Sequence, residues 1–291
     1  MNQVMHTSLV YLNGKLLPLE QAHISVMDRG FLFGDGVYEV IPVYGGRCFR
    51  FDEHLDRLER NLRETRIPQP HTRAQWQQIC EQLMATLPAA NDQMIYVQVT
   101  RGPAPLREHK FPADMQPTVF AFTRAVAPPA ETLPAAISAI SCEDIRWQRC
   151  DIKSISLLAN VLMTEDALEA GASEAILIRD GLALEGASTN LFVVLDGVLF
   201  TAPKDQRILA GITRDLLVEL ARQHGQPVRE AVIAAADLAR ASEIWVSSST
   251  REMVPVTTLN EQPVGTGATG PVFTQMWQWY RGFRQAQLKT A

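Results

Sequence analysis

The chain has 291 residues, 46% of them hydrophobic, enough to bury one large core or two of ordinary size. Its formal net charge of −5 excludes the basic excess on which nucleic-acid and membrane-surface binding depend, and no run approaches the roughly 20 apolar residues that cross a bilayer. The opening MNQVMHTSLV has no cationic segment followed by an apolar stretch, so the expectation is a cytoplasmic protein that handles small metabolites.

The predicted elements begin with a hairpin, residues 8–12 and 15–17, around Asn13-Gly14, both of which tolerate positive φ. A second hairpin, 37–44 and 47–51, turns at Gly45-Gly46, and Asp52 then stands where it can cap a helix that carries Leu55, Leu58 and Leu62 on one face. Residues 94–101 and 118–123 have strand patterns. The Pro/Ala-rich run TRAVAPPAETLP is the natural linker, so residues 1–123 form a smaller N-terminal domain, 124–134 the linker and 135–291 a larger C-terminal domain. There a strand at 136–141 precedes a helix over about 156–170, which Gly171 is placed to end. Strands at 174–179, 182–185, 190–195 and 198–201 follow, with turns at Asp180-Gly181 and Asp196-Gly197, then a helix over about 213–224 and a strand at 243–246. Hairpins in series favour mainly antiparallel sheets, so the expected fold class is α+β in two domains.

Cys48, Cys80, Cys142 and Cys150 show no C-x-x-C spacing, and the six histidines include no pair at metal-ligand spacing, so no metal is expected. Lys15, Lys110, Lys204 and Lys289 read as solvated surface residues. Lys153 differs, because WQRCDIKSISLLANV sets it between a strand-like segment and an apolar helix. Partial desolvation there would favour a neutral amine able to act as nucleophile or base, although context alone equally admits a lysine that rims a core.

The runs RGFLFGDGVYEV, HLDRL, RCDIKS, LEGASTNLF, GITRD and VSSSTRE, in this order over most of the chain, resemble the fold-type IV pyridoxal-phosphate-dependent aminotransferases, specifically their D-amino-acid branch. The resemblance implies a smaller N-terminal α/β sandwich, a larger and mainly antiparallel C-terminal β domain with helices, and pyridoxal 5'-phosphate as cofactor. It makes Lys153 of DIKS the residue that holds the cofactor as a Schiff base and shuttles the proton. It pairs Glu185 of LEGASTN with the pyridine nitrogen, where in isolation an exposed strand-end acid would be expected.

For the phosphate, the resemblance brings together Arg57 of HLDRL, the backbone N–H groups of Ile212 and Thr213 with the Thr213 hydroxyl, and the hydroxyls of Ser248 and Ser249 in a loop after strand 243–246. It adds Leu209 to the cofactor-binding set. Taken singly, Arg57 would be a surface partner of Glu53 and Thr213 an N-cap. On the substrate side, Arg107 and His109 match an Arg-x-His pair that binds the α-carboxylate, with Tyr38 as third partner. Taken alone, Arg107, His109 and Lys110 form a solvated basic loop. The resemblance also implies a homodimer whose loop reaches the neighbouring active site, a D-amino acid of the alanine or glutamate class as donor and a 2-oxo acid as acceptor. One departure is Ala187, where members of the family carry a serine. Other functions of the same fold are an aminodeoxychorismate lyase, a branched-chain aminotransferase and an R-selective amine transaminase, against which Arg107 and His109 argue.

Overall fold

The computed structural model describes residues 9–88, 90–127 and 131–289. Residue 8 of the first expected strand and residues 128–130 of the expected linker lie outside the described residues. The chain divides into two compact units, Met1–Pro129 with Ile152–Leu157 and Ala130–Asp151 with Leu158–Ala291.

In the first unit, β1 (Leu9–Leu12) and β2 (Lys15–Pro18) pair through Asn13 and Gly14, whose φ of 47° and 92° suit these two residue types. A short helix, α1 (Arg29–Phe33), leads into β3 (Gly36–Tyr44), which turns at Gly45-Gly46 into β4 (Arg47–Cys48). β4 stops short of residue 51 because Arg50 adopts a left-handed φ of 53° and starts α2 (Phe51–Thr65). Asp52 is therefore not the cap. It lies in the first turn, where its charge still suits the positive end of the helix dipole.

Helix α3 (Arg73–Ala85) opens with a capping box in which Thr72 and Gln75 satisfy each other's backbone N–H groups. With β5 (Gln93–Thr100) and β6 (Thr118–Ala125) the strands form an antiparallel sheet in the order β2-β1-β6-β5-β3-β4. Val37, Ile41 and Val43 of β3 bury their shared face against Leu55, Leu58 and Leu62 of α2 and Trp76, Ile79 and Leu83 of α3. Each buried leucine contributes about 1.5 to 3 kcal/mol.

The second unit holds β7 (Ile137–Glu143), β8 (Glu174–Arg179), β9 (Leu182–Gly186), β10 (Asn190–Leu195), β11 (Val198–Thr201), β12 (Val228–Glu230), β13 (Ile233–Ala234), β14 (Glu243–Ser248), β15 (Glu252–Leu259) and β16 (Gln262–Pro263). Its sheet is mainly antiparallel, with parallel pairings at β7–β8, β7–β15 and β11–β12. The path β10-β14-β15-β7-β8-β9 closes on itself, because Asn190 of β10 pairs with Glu185 of β9. α4 (Leu158–Glu169) lies between the parallel strands β7 and β8, a connection too long in reach for a tight turn.

Helices α5 (Ile212–Gln223) and α6 (Pro271–Lys289) pack on β14, where Trp245 stacks on Phe192 at 4.5 Å and meets Phe273 edge-on at 5.6 Å. β10 is thus buried on both faces, which is why it reads as a continuous apolar run. No helix of the described residues is long and apolar enough to cross a membrane.

Candidate active site

The expected site residues lie in both units, and each set has its own local architecture. In the first unit, Ile152–Leu157 runs beside β3: Tyr38 N–H donates to the Lys153 carbonyl at 3.0 Å, and Ile155 N–H donates to the Gly36 carbonyl at 3.1 Å. Gly36 permits this approach, since a Cβ there would come 2.9 Å from Ile155 Cδ1 and 2.8 Å from the Val99 carbonyl oxygen. Ile152 anchors the segment in the apolar core, so Lys153 is fixed by main-chain bonds and by a buried neighbour. Its side chain is half-buried, with Nζ 4.1 Å from the centre of the Tyr38 ring, which in turn stacks on Tyr96 at 5.7 Å.

Arg57 lies on the inner face of α2 with His54 and Asn61, spaced i, i+3, i+7, and all three are buried. Its guanidinium grips Glu39 with two bonds, Nε to Oε1 at 2.7 Å and Nη2 to Oε2 at 2.8 Å. Glu53 takes Arg50 at 2.7 Å. His54 Nδ1–H donates to Glu39 at 2.8 Å. Burial alone would raise the Glu39 carboxyl, but the Arg57 charge and these hydrogen bonds hold it below the usual carboxylate range. Burial lowers His54, with Glu39 opposing, so the triad amounts to one ion pair and a neutral imidazole.

Arg107 and His109 are exposed on the segment between β5 and β6. Their side chains meet Phe33, the Arg107 guanidinium 5.0 Å and the His109 ring 5.5 Å from the centre of its ring.

In the second unit Glu185 is buried, not an exposed strand-end acid. It accepts from Arg146 Nη1 at 2.5 Å, from Asn190 Nδ2 at 2.9 Å and from Leu209 N–H at 3.1 and 3.2 Å. Arg146 is held in turn by Asp144 at 2.9 Å, and Asp144 pairs with Arg179 at 2.8 Å. Burial pushes the Glu185 carboxyl up to about 7, more than Arg146 and the Leu209 N–H pull it down.

Ile212 and Thr213 are buried in the first turn of α5, whose N-cap is Gly211 and not Thr213. Gly211 has no side chain to cap the helix, so the opening N–H groups point out of a positive helix end. Ser248 is the last residue of β14 and not a loop residue; its Oγ accepts from Arg251 N–H at 3.1 Å, while Ser249 sits in the turn to β15. In the loop after β9, Glu174 accepts from Ala187 N–H at 3.1 Å and from Thr189 Oγ1 at 3.0 Å. Ala187 itself packs among Met163, Ala167, Ala175 and Leu177, an apolar setting that accounts for the missing hydroxyl.

Arg146 and Asn190, which bond to Glu185, and Glu39 and His54, which bond to each other beside Arg57, are neighbours of the candidate residues that the sequence reading did not single out. Glu39 had a signal, since it alternates with Val37, Ile41 and Val43 on the buried face of a strand, and so did His54, on the helix face of Leu55, Leu58 and Leu62.

Residues 36–259 match the family described as amino-transferase class IV. The D-alanine aminotransferase of Bacillus licheniformis is 40% identical over 90% of this chain and 92% of its own length. That of Listeria monocytogenes serotype 1/2a (strain 10403S) is 37% identical over 93% and 94%. Among solved structures, a branched-chain amino acid aminotransferase from Escherichia coli superimposes with a TM-score of 0.85 at 28% identity, covering 94% of this chain and 93% of its own. A T.th. branched-chain amino acid aminotransferase complexed with N-(5'-phosphopyridoxyl)-L-glutamate does so with a TM-score of 0.86 at 25% identity, over 96% and 94%.

Proposed function

We propose, from the premise that this chain belongs to the class IV aminotransferases, that it moves an amino group from a D-amino acid of the alanine or glutamate class to a 2-oxo acid by a ping-pong sequence, with pyridoxal 5'-phosphate as cofactor. The observation that carries this is Lys153, an amine fixed by main-chain bonds at its own carbonyl and at Ile155 and by buried Ile152 before it, and half-buried over an aromatic face. The residues present fit the cofactor. Glu185 is a buried acid that Arg146 alone does not return to the ordinary range, so a cationic ring nitrogen is the partner its environment lacks.

When bound, pyridoxal 5'-phosphate supplies the carbonyl carbon that takes up the amino group and the ring that takes up the electron pair left at Cα. Lys153 would act as base and then acid, its Nζ taking the proton from the substrate Cα and delivering it to the carbon that was the cofactor's carbonyl carbon. Glu185, braced by Arg146, Asn190 and the Leu209 N–H, holds the ring-nitrogen proton by charge. Arg57, the N–H groups of Ile212 and Thr213, and the hydroxyls of Thr213, Ser248 and Ser249 are the proposed phosphate ligands, a set of one cation, a helix N-terminus and short donors suited to a dianion.

Arg107, His109 and Tyr38 are the proposed α-carboxylate ligands, the first two supplied to the partner subunit of a homodimer in the cytoplasm. The exposure of Arg107 and His109 supports that assignment. The test is a panel of D- and L-amino acids with 2-oxoglutarate and pyruvate as acceptors. The expected result is turnover of D-alanine and D-glutamate. Because solved branched-chain aminotransferases share the fold, robust turnover of L-leucine without D-alanine would overturn the D-specific assignment.

A further inference from the structure

The segment between β5 and β6 has little regular structure, yet one side chain holds its backbone at three successive residues. Arg29, the first residue of α1, is buried: Nη1 donates to the Glu108 carbonyl at 2.6 Å and to the Lys110 carbonyl at 3.4 Å, and Nη2 donates to the His109 carbonyl at 3.4 Å. Its Nε donates to Asp35 at 2.8 Å, and its own N–H donates to the Gly102 carbonyl at 3.0 Å. One turn further along α1, the Phe33 ring lies 4.8 Å from the Arg29 guanidinium and 5.0 Å from that of Arg107, with the His109 ring 5.5 Å away.

Two guanidinium groups near one ring would repel, but Arg29 shares the Asp35 carboxylate with Arg101, each Nε donating to it at 2.8 Å, which offsets part of its charge. Arg107 has no such counter-charge: among the described residues it makes no ion pair, and its guanidinium rests on the Phe33 ring. An arginine fixed on an aromatic face without a carboxylate of its own presents its planar fork, already oriented, to an incoming anion. Orienting the fork beforehand removes much of the rotamer entropy that a free arginine loses on binding.

We infer that Arg29 and Phe33 are positioning residues for the carboxylate-binding pair Arg107 and His109, and that they set the affinity for carboxylate-bearing substrates without touching the substrate. This rests on the assignment of Arg107 made above. Arg29 fixes the loop through its carbonyls, and Phe33 fixes the two side chains that project from it. The effect belongs to ground-state binding of the carboxylate, so it falls on KM and not on proton transfer at Lys153.

The test uses the holoenzyme with D-alanine as donor, and propionate as a dead-end inhibitor that keeps the carboxylate and lacks the amino group. Phe33→Leu, which keeps an apolar side chain and loses the π face, is expected to raise KM for D-alanine and Ki for propionate together, by about three- to tenfold, with kcat within about twofold. Phe33→Tyr should restore both, and Arg29→Lys should raise both. If Arg29→Lys fails to fold, the two Phe33 variants decide alone. Arg107→Ala is the reference. If it raises the propionate Ki while Phe33→Leu leaves it unchanged, or if Phe33→Leu lowers kcat alone, the positioning role is overturned. If Arg107→Ala itself leaves the propionate Ki unchanged, the assignment of Arg107 fails and this inference falls with it.

Discussion

Asn190 faces Glu185 across the single rung that closes the ring of strands in the second unit, and its Nδ2 donates to a Glu185 oxygen at 2.9 Å. The same Nδ2 donates to the Leu209 carbonyl at 2.8 Å, so the residue whose backbone closes the strands also places the carboxylate with its side chain. Burial raises Glu185 to about 7. Between the ordinary glutamate value of about 4.3 and that value, the native chain keeps a proton that the unfolded chain has released, so this group's contribution to stability falls as pH rises through the window. In cofactor-free protein, urea unfolding should show the stability of wild type minus Glu185→Gln dropping by roughly 3 kcal/mol from about pH 4.5 to about pH 8. A difference flat with pH would mean that Glu185 is already ionised throughout.

Lys153→Ala should fold as wild type, because the bonds that place residue 153 come from its main chain and from Ser154 and Ile155. Turnover of D-alanine should nonetheless fall by several orders of magnitude, with loss of the visible absorption of lysine-linked cofactor. Near-normal turnover would remove Lys153 from the catalytic role.

Arg57→Ala carries two separable effects. It leaves Glu39 buried with only His54 beside it, which costs about 3 to 5 kcal/mol of stability. Adding Glu39→Gln should recover part of that loss in urea midpoints. Cofactor affinity should stay weakened in the double variant, by about 1.5 to 3 kcal/mol on equilibrium dialysis. Wild-type affinity in the double variant would make Arg57 purely structural.

Ala187→Ser places a hydroxyl among Met163, Ala167 and Leu177. The expected outcome is a loss of about 1 to 3 kcal/mol in thermal or urea stability, with the cofactor dissociation constant unchanged. Tighter cofactor binding would show that the hydroxyl reaches the site after all.

Strands β8 to β11 were legible in the sequence because they form two hairpins whose turn chemistry is local, Asp180-Gly181 and Asp196-Gly197 both taking positive φ, whereas β12, β13, β15 and β16 were not found. The strand–helix–strand order around α4 already signals the parallel pairing of β7 with β8, but nothing local encodes the pairing of β7 with β15, which is distant in sequence. The roles of Lys153 and Glu185 came from motifs, whereas Arg146 and Glu39 act through partners supplied by other elements. α3 could have been found from Thr72 and Gln75, and its modest amphipathicity hid it. α6 begins at Pro271 with no such side-chain signal before it, and Glu243, far off in sequence, accepts from its Val272 and Phe273 N–H groups.

The return of Ile152–Leu157 to the first unit bears on the order in which the protein is made. A nascent chain released only as far as Pro129 holds all six strands of the first sheet, but β3 still lacks the segment that bonds to Gly36 and Tyr38, and the core still lacks Ile152. Synthesis must reach well into the second unit before the first can be finished. Lys153 therefore arrives with the last piece of its own scaffold, and no fragment ending before residue 152 holds the whole of the first unit.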